Sequence, residues 1–327
     1  MTVTKDRELV SLGSSPLRVS RLGFGCCPMG GHGWGSTDDS EMIDAVRAAL
    51  ELGVRLFDTA DIYGLGHSER LLGRALAGRR NEAIVATKFG VRRDARGATY
   101  YDNRPDWIVA ALDSSLRRLG TDHIDLYQVH YWDGATPLEI ICETLSDMRE
   151  QGKIRYWGVT NMDLIAAGQT TPLQGLVSFS DEYSLAMREA EGSMRAHINR
   201  LGLTFLSWGS LGQGILTGKY DATSSLTHGD RRRRSVYVNF HGSRLRKNLE
   251  LVARLREVAK ECPNRTVAQI ALRWILDSVP NSVVLTGVKR PAQLDDNLGC
   301  LGWQLSDDHR NELDDASAHR VNENGKV

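Results

Sequence analysis

Along this chain, short and almost uninterrupted apolar runs alternate with longer stretches of helical periodicity. The apolar runs occupy residues 22–26, 55–59, 83–89, 124–130, 154–160, 176–180, 204–208 and 282–287. Runs such as FLSW and SVVLTG suit parallel strands covered on both faces. Helical patterns span 39–52, 68–77, 105–119, 137–151, 163–168, 190–201, 244–260, 267–277 and 291–298. Their ends carry the expected signals. Ser36-Thr-Asp-Asp precedes the first helix, Arg104-Pro-Asp opens the third, and Gly53, Gly120 and Gly152 close helices.

Strand–helix repetition with parallel pairing has two main solutions, an open doubly wound sheet and a closed barrel. Eight strands favour the barrel, so the expected fold is α/β, a single (β/α)8 TIM-barrel domain over residues 1–327. Residues 8–19 read as an N-terminal β-hairpin turning at Gly13-Ser14-Ser15, placed to plug the N-terminal end of the barrel. Two stretches break the rhythm. A Gly- and Arg-rich loop, 212–242, follows strand seven, and a capped helical segment from Ser306 to Ala318 leads into a polar tail. A loop of that length without a pattern is functional or mobile, and in a barrel it lies over the active-site face.

Charge is balanced, with 41 Lys plus Arg against 41 Asp plus Glu. No global field draws nucleic acid or a membrane surface, so any bound anion needs local charge. No apolar run approaches the ~20 residues needed to cross a bilayer. The start, MTVTKDRELV, has no apolar stretch behind its charges. Cys26, Cys27, Cys142, Cys262 and Cys300 form no C-x-x-C pair and no zinc-like spacing with His. No metal is expected, and reduced thiols in the cytoplasm are the simplest account. Oligomeric state is left open.

In a barrel, catalytic groups gather at the C-terminal ends of strands. Those ends carry Asp58 on strand two, with Tyr63 five residues on, Lys88 on strand three and His130 on strand four. Singly, each has a plain reading: a helix cap for the aspartate, a solvated lysine, a satisfied core imidazole. Together they suit carbonyl reduction. Hydride delivery to a carbonyl carbon leaves negative charge on oxygen, which needs a proton donor. Tyrosine, with a pKa of ~10, is a weak acid at neutral pH, and a neighbouring ammonium should lower that value. Asp58 would keep Lys88 charged in a water-poor pocket, and a neutral His130 would donate a hydrogen bond to the carbonyl oxygen.

The stretch FDTADIYGLGHSERLLGRAL, with Glu69 and Gly73 in place, resembles the aldo-keto reductase family, and its bacterial members related to potassium-channel β subunits above all. The resemblance runs from about Leu17 to Leu313. It implies an NADPH-dependent oxidoreductase of aldehydes or ketones, sugar or secondary-metabolite carbonyls included. In it Tyr63 is the general acid, tuned by Lys88 and Asp58, and His130 orients the carbonyl. Glu69 has a structural role at the start of the second helix.

There is no G-x-G-x-x-G after the first strand, so a Rossmann site is not indicated. The family resemblance instead implies NADPH or NADP+ across the barrel mouth, near Gly25, Cys26, Cys27 and Asp58. Thr160, Asn161 and Ser180 would meet the nicotinamide amide, and Trp208 would stack on its ring. Gly209, Ser210, Leu211, Gly212 and Gly214 would approach the pyrophosphate, with Lys219 adding charge. Beyond Gly287, Lys289 and Arg290 stand at a helix entrance that favours an anion and would pair with a 2′-phosphate. Gln293 and Asn297 would face the adenine. The plain alternative is two solvated cations ahead of a Pro-initiated helix.

The chain departs from the family pattern where Ser180 replaces a Gln, Gly209 replaces a Ser, and Cys26 and Cys27 replace Thr and Met or an aromatic. The arginine run 231–234 is a clamp on cofactor phosphates or an anionic substrate, or a mobile basic loop. Trp34, Tyr63, His130 and Trp132 are the expected substrate pocket, with Tyr101 and Tyr131 nearby. A second reading, to which only Ser180 points, is a catalytically weak NADP-binding regulatory or scaffold protein on the same barrel.

Overall fold

A computed structural model describes residues 8–35 and 37–318. The remaining positions, among them Ser36 ahead of the first helix and the polar tail after Ala318, lie outside the described residues. A two-stranded antiparallel hairpin, β1 (Leu9–Ser11) and β2 (Arg18–Ser20), opens the chain. Eight parallel strands then close into a barrel. In order around it they are β3 (Leu22–Gly25), β4 (Leu56–Asp58), β5 (Ile84–Phe89), β8 (Ile124–Val129), β9 (Ile154–Thr160), β10 (Leu176–Glu182), β11 (Thr204–Trp208) and β12 (Ser282–Gly287). A second hairpin, β6 (Val91–Arg93) with β7 (Thr99–Tyr101), stands on the loop after β5 and was not signalled by the hydrophobic pattern.

The helices are α1 (Asp39–Glu51), α2 (His67–Ala75), α3 (Pro105–Leu119), α4 (Leu138–Glu150), α5 (Glu191–Leu201), α6 (Gly242–Glu261), α7 (Val267–Ser278), α8 (Pro291–Leu298) and α9 (Asp307–Ser317). Side-chain caps start α1, α7 and α9. Asp38 accepts hydrogen bonds from the Ser40 and Glu41 amides at the head of α1, and Thr266 and Gln269 form a capping box on α7. The helix expected over 163–168 is absent. One helical bond forms, from the Ala167 amide to the Asp163 carbonyl, and then Gly168 at φ +90° ends the turn. Six residues without an apolar stripe do not repay helix nucleation.

Strand alternation sorts side chains into two layers. Outward residues such as Phe57, Val85, Phe89, Tyr127, Val129 and Phe205 pack under the helices. Inward residues Leu56, Ala86, Leu126, Val177, Leu206, Val283 and Leu285 fill the barrel. Leu12 and Val19 of the hairpin join that inner cluster. The Gly13 amide donates to Thr204 Oγ1 at 2.8 Å, at the first residue of β11, so the hairpin closes the N-terminal end as expected. Among the described residues no helix is long and apolar enough to cross a membrane, no group of His, Cys, Asp and Glu is placed to hold a metal ion, and the five cysteines form no disulfide.

Candidate active site

The site follows from the period of two. Leu56, Ala86 and Leu126 point into the barrel, so two residues further on Asp58, Lys88 and Gln128 do the same, and His130 lies two beyond Gln128. Polar chemistry therefore begins directly above a dry apolar layer, at the C-terminal mouth. Lys88 is 2% exposed and Asp58 4%. The Lys88 ammonium donates to Asp58 Oδ2 at 2.6 Å, Asp58 Oδ1 at 2.8 Å and the Thr59 carbonyl at 3.0 Å. Gln128 lies beside Lys88 in the sheet register and adds a donor to Asp58 Oδ1 at 3.2 Å. Gly158, the next residue in register, leaves the room: a Cβ there would lie 2.1 Å from Ser178 Oγ and 3.4 Å from Gln128 Cγ. Gln128 was not singled out from the sequence, although its parity with His130 marks it.

Tyr63 reaches this group from the turn before α2. Gly64, at φ +60°, carries the chain away, and a Cβ on it would lie 2.4 Å from the Gly30 carbonyl oxygen. The Lys88 ammonium is 5.3 Å from the centre of the Tyr63 ring, and the rings of Tyr63 and His130 meet edge to face at 5.9 Å. Thus all four expected residues converge. One expectation is corrected: enclosure in the mouth, with Cys27 and Asp58 nearby, pushes the Tyr63 hydroxyl well above its ordinary value. Lys88 does not offset this because Asp58 neutralises it at contact distance. Burial and the Lys88 charge push the His130 imidazole well below its usual range, so it is neutral. Its Nδ1 is buried without a hydrogen-bond partner.

Around the mouth, the other expected residues divide. Asn161, at φ +56°, donates to the His130 carbonyl at 3.1 Å and accepts from Trp208 Nε1 at 3.1 Å. Thr160 Oγ1 is buried and unpartnered, as an atom awaiting a ligand would be. Ser180 points inward, yet its hydroxyl donates to the Leu206 carbonyl at 2.8 Å, so its proton is already engaged. Ser210 is similarly tied to the Ser207 carbonyl at 2.8 Å. Cys26 falls on the outward parity of β3 and packs fully buried beneath the helices, so its side chain does not reach the mouth. Cys27 does, close enough to Tyr63 to raise the proton affinity of its hydroxyl.

The loop after β11 winds through left-handed turns at Gly209, Gly212, Gln213 and Gly214. A Cβ on Gly214 would lie 3.6 Å from the Arg232 guanidinium and 3.8 Å from the Lys219 ammonium, so two cations flank this glycine cradle. Arg232 is the buried member of the arginine run. It bonds Asp230 at 2.5 and 2.9 Å, the Gln213 carbonyl at 3.2 Å and the Tyr220 hydroxyl at 2.5 Å. The loop is therefore anchored rather than a free basic strand. Lys289 donates to the Trp34 carbonyl at 2.8 Å, while its own amide is capped by Gln293 Oε1 at 2.9 Å. Asn297 is buried on α8, and Gly25 and Gly287 pair at the ends of β3 and β12.

Against His130, where Trp132 was expected, stands Tyr131. It stacks on His130 at 5.2 Å and on Tyr101 at 5.0 Å. The Trp132 indole turns back to donate to the Thr136 carbonyl at 2.8 Å and is 37% exposed. Trp34 meets Tyr237 edge to face at 5.9 Å across the mouth. Glu69 is wholly buried, accepting from Thr87 at 2.7 Å and Arg118 at 2.5 Å, which ties α2, β5 and α3 together as a structural residue should.

Residues 21–318 match the Aldo/keto reductase family. The chain is 34% identical over 308 residues to the aldo-keto reductase YhdN of Bacillus subtilis, covering 94% of this chain and 92% of that one. It is 36% identical over 306 residues to the aldo-keto reductase yakc [NADP(+)] of Schizosaccharomyces pombe, covering 91% and 88%. Among solved structures, the glycerol dehydrogenase AKR11B4 from Gluconobacter oxydans superposes with a TM-score of 0.85 at 30% identity, over 99% of this chain and 98% of that one. With fold, mouth geometry and sequence in agreement, the chain belongs to the aldo/keto reductase family.

Proposed function

We propose that Tyr63, Lys88, Asp58 and His130 are the proton-delivery apparatus of this NADP-dependent oxidoreductase, acting on an aldehyde or ketone. The observation that carries this is the convergence of the four at one end of the barrel, above a dry layer and beneath open aromatic walls. Oxidoreductase chemistry and the NADP cofactor come with the family; the assignment of residues is our reading.

The residues present fit that cofactor. Thr160 offers an unpartnered buried hydroxyl and Asn161 a carboxamide for the nicotinamide end, beside the Trp208 indole. The cradle from Gly209 to Gly214, with Lys219 and Arg232, offers amides and charge to phosphates, and Lys289, Gln293 and Asn297 offer the outer end. Asp58, Gly25 and Gly287 border the same floor. When bound, the nicotinamide supplies hydride to the carbonyl carbon. The protein's part is to hold the carbonyl oxygen between the Tyr63 hydroxyl and the neutral His130 ring, and to pass it a proton as charge develops. Lys88, 5.3 Å from the centre of the Tyr63 ring, faces the tyrosinate left behind, and Asp58, held by Gln128, fixes that ammonium in place. Trp34, Cys27 and Tyr131 line the approach.

Following nicotinamide absorbance with a panel of aldehydes and ketones tests this. Sustained turnover, faster with NADPH than with NADH, is expected. Tight NADPH binding without turnover of any carbonyl would instead support the regulatory reading to which the engaged Ser180 hydroxyl points.

A further inference from the structure

Beyond the mouth lies a cleft of about 600 Å³, lined by three separate segments. The β3–α1 loop contributes His32 and Gly33, β6 contributes Arg93, and the long loop contributes His228, Gly229, Asp230, Arg231, Arg233 and Arg234. A larger cleft of about 690 Å³ sits at the opposite, N-terminal end of the barrel and carries none of the four catalytic candidates. In the first cleft, Arg93, Arg231, Arg233 and Arg234 have no carboxylate within ion-pair distance among the described residues. The one carboxylate in its lining, Asp230, is taken by Arg232. In a chain with equal numbers of cations and anions, four such arginines on one concavity make a strong local field.

These arginines are distinct from the cations around the glycine cradle. Lys219 and Lys289 feel Arg232 and each other, and burial with that repulsion holds both ammonium groups below their ordinary values. The cleft borders the β3–α1 loop instead, through His32 and Gly33. The Arg231 amide donates to the Gly33 carbonyl at 2.9 Å, pinning the long loop to the β3–α1 loop. Its guanidinium stacks over Trp34 at 5.3 Å and Tyr237 at 5.7 Å. Arg231 also lies close enough to Cys27 to act on that thiol, and Cys27 in turn acts on Tyr63. Gly33 and Arg231 therefore join the cleft to the β3–α1 loop that carries Cys27 and Trp34.

We propose that this cleft is an anion subsite, and that the preferred substrate is an elongated carbonyl compound whose far end carries a phosphate, diphosphate or carboxylate. Guanidinium groups suit these planar or tetrahedral oxyanions, which they bind through paired N–H donors. The path along Trp34 and Tyr237 suits an apolar or ring-bearing middle. This deepens, and rests on, the assignment of the four residues at the mouth as the carbonyl site.

The test uses the NADP+-saturated protein and an Arg93→Ser/Arg233→Ser variant, both positions being exposed and outside the mouth. Calorimetry with inorganic pyrophosphate should show binding that weakens about tenfold or more in the variant. In turnover, aldehydes of increasing length ending in carboxylate or phosphate should surpass neutral aldehydes of equal length through KM. The variant should lose that preference and keep its rate on the neutral series. Equal pyrophosphate binding by both proteins, or tighter binding of an RNA oligonucleotide that pyrophosphate does not displace, would overturn the proposal. Reduction of neutral aldehydes without pyrophosphate binding overturns the subsite and leaves the reductase reading intact. Pyrophosphate binding that follows the arginines in a protein reducing no aldehyde overturns the reductase reading instead.

Discussion

At the scale of single residues, the site is governed by which charges are already neutralised. Lys88 and Asp58 form a buried pair at 2.6 Å. Removing one partner of such a pair costs about 3–5 kcal/mol because the other is left charged without water. Lys88→Met should therefore lower the unfolding free energy by that order in a denaturant titration, and adding Asp58→Asn should restore at least half. Equal stability of the single and double variants would show that Gln128 alone compensates the Asp58 charge. The protonation states make a second prediction. In the proposed roles, reduction needs protonated Tyr63 and neutral His130, and burial raises the first group and lowers the second. Both forms then dominate across the neutral range, so kcat for reduction should be level there. A loss of rate on acidification through pH ~6.5, the ordinary imidazole value, would contradict the state assigned to His130.

At the scale of elements, one turn sets the position of Tyr63, the proposed proton donor. Gly64 adopts φ +60° with no room for a Cβ against the Gly30 carbonyl. Gly64→Ala should cost about 1–3 kcal/mol from strain at that φ, and kcat should fall further than this stability loss explains, because Tyr63 moves with the turn. Unchanged kcat in a folded variant would show that the turn does not position the tyrosine. The strands were legible in the sequence because continuous apolar runs mark parallel strands buried on both faces. Parity carried further information that the run alone did not. Counting by twos from Leu56, Ala86 and Leu126 sets Asp58, Lys88 and Gln128 inside, and counting along β3 sets Cys26 outside. The β6–β7 hairpin escaped detection because its six residues are largely polar and exposed, leaving no hydrophobic period to read.

At the scale of the whole molecule, the barrel brings together residues far apart in the chain, and legibility declines with that distance. Asp58, Lys88 and His130 were readable because each lies at the end of an apolar run, and Tyr63 because it follows Asp58 in the stretch that carries the family resemblance. The commitments of Ser180 to Leu206, of Lys289 to Trp34 and of Trp132 to Thr136 were not, since each is a contact whose geometry only the folded loops decide. The arginine run was visible as a run, but its division into a buried anchor at Arg232 and cleft-facing neighbours depends on Asp230 and Tyr220 closing around one guanidinium. At the mouth the fold assembles the residue we propose as proton donor, and that role has a direct measurement. In steady-state reduction under saturating NADPH, Tyr63→Phe removes one hydroxyl and leaves the ring contact with His130. The account predicts a fall in kcat of about 10²–10⁴-fold with NADPH affinity unchanged. A Tyr63→Phe protein that turns over carbonyls at the parent rate would contradict it.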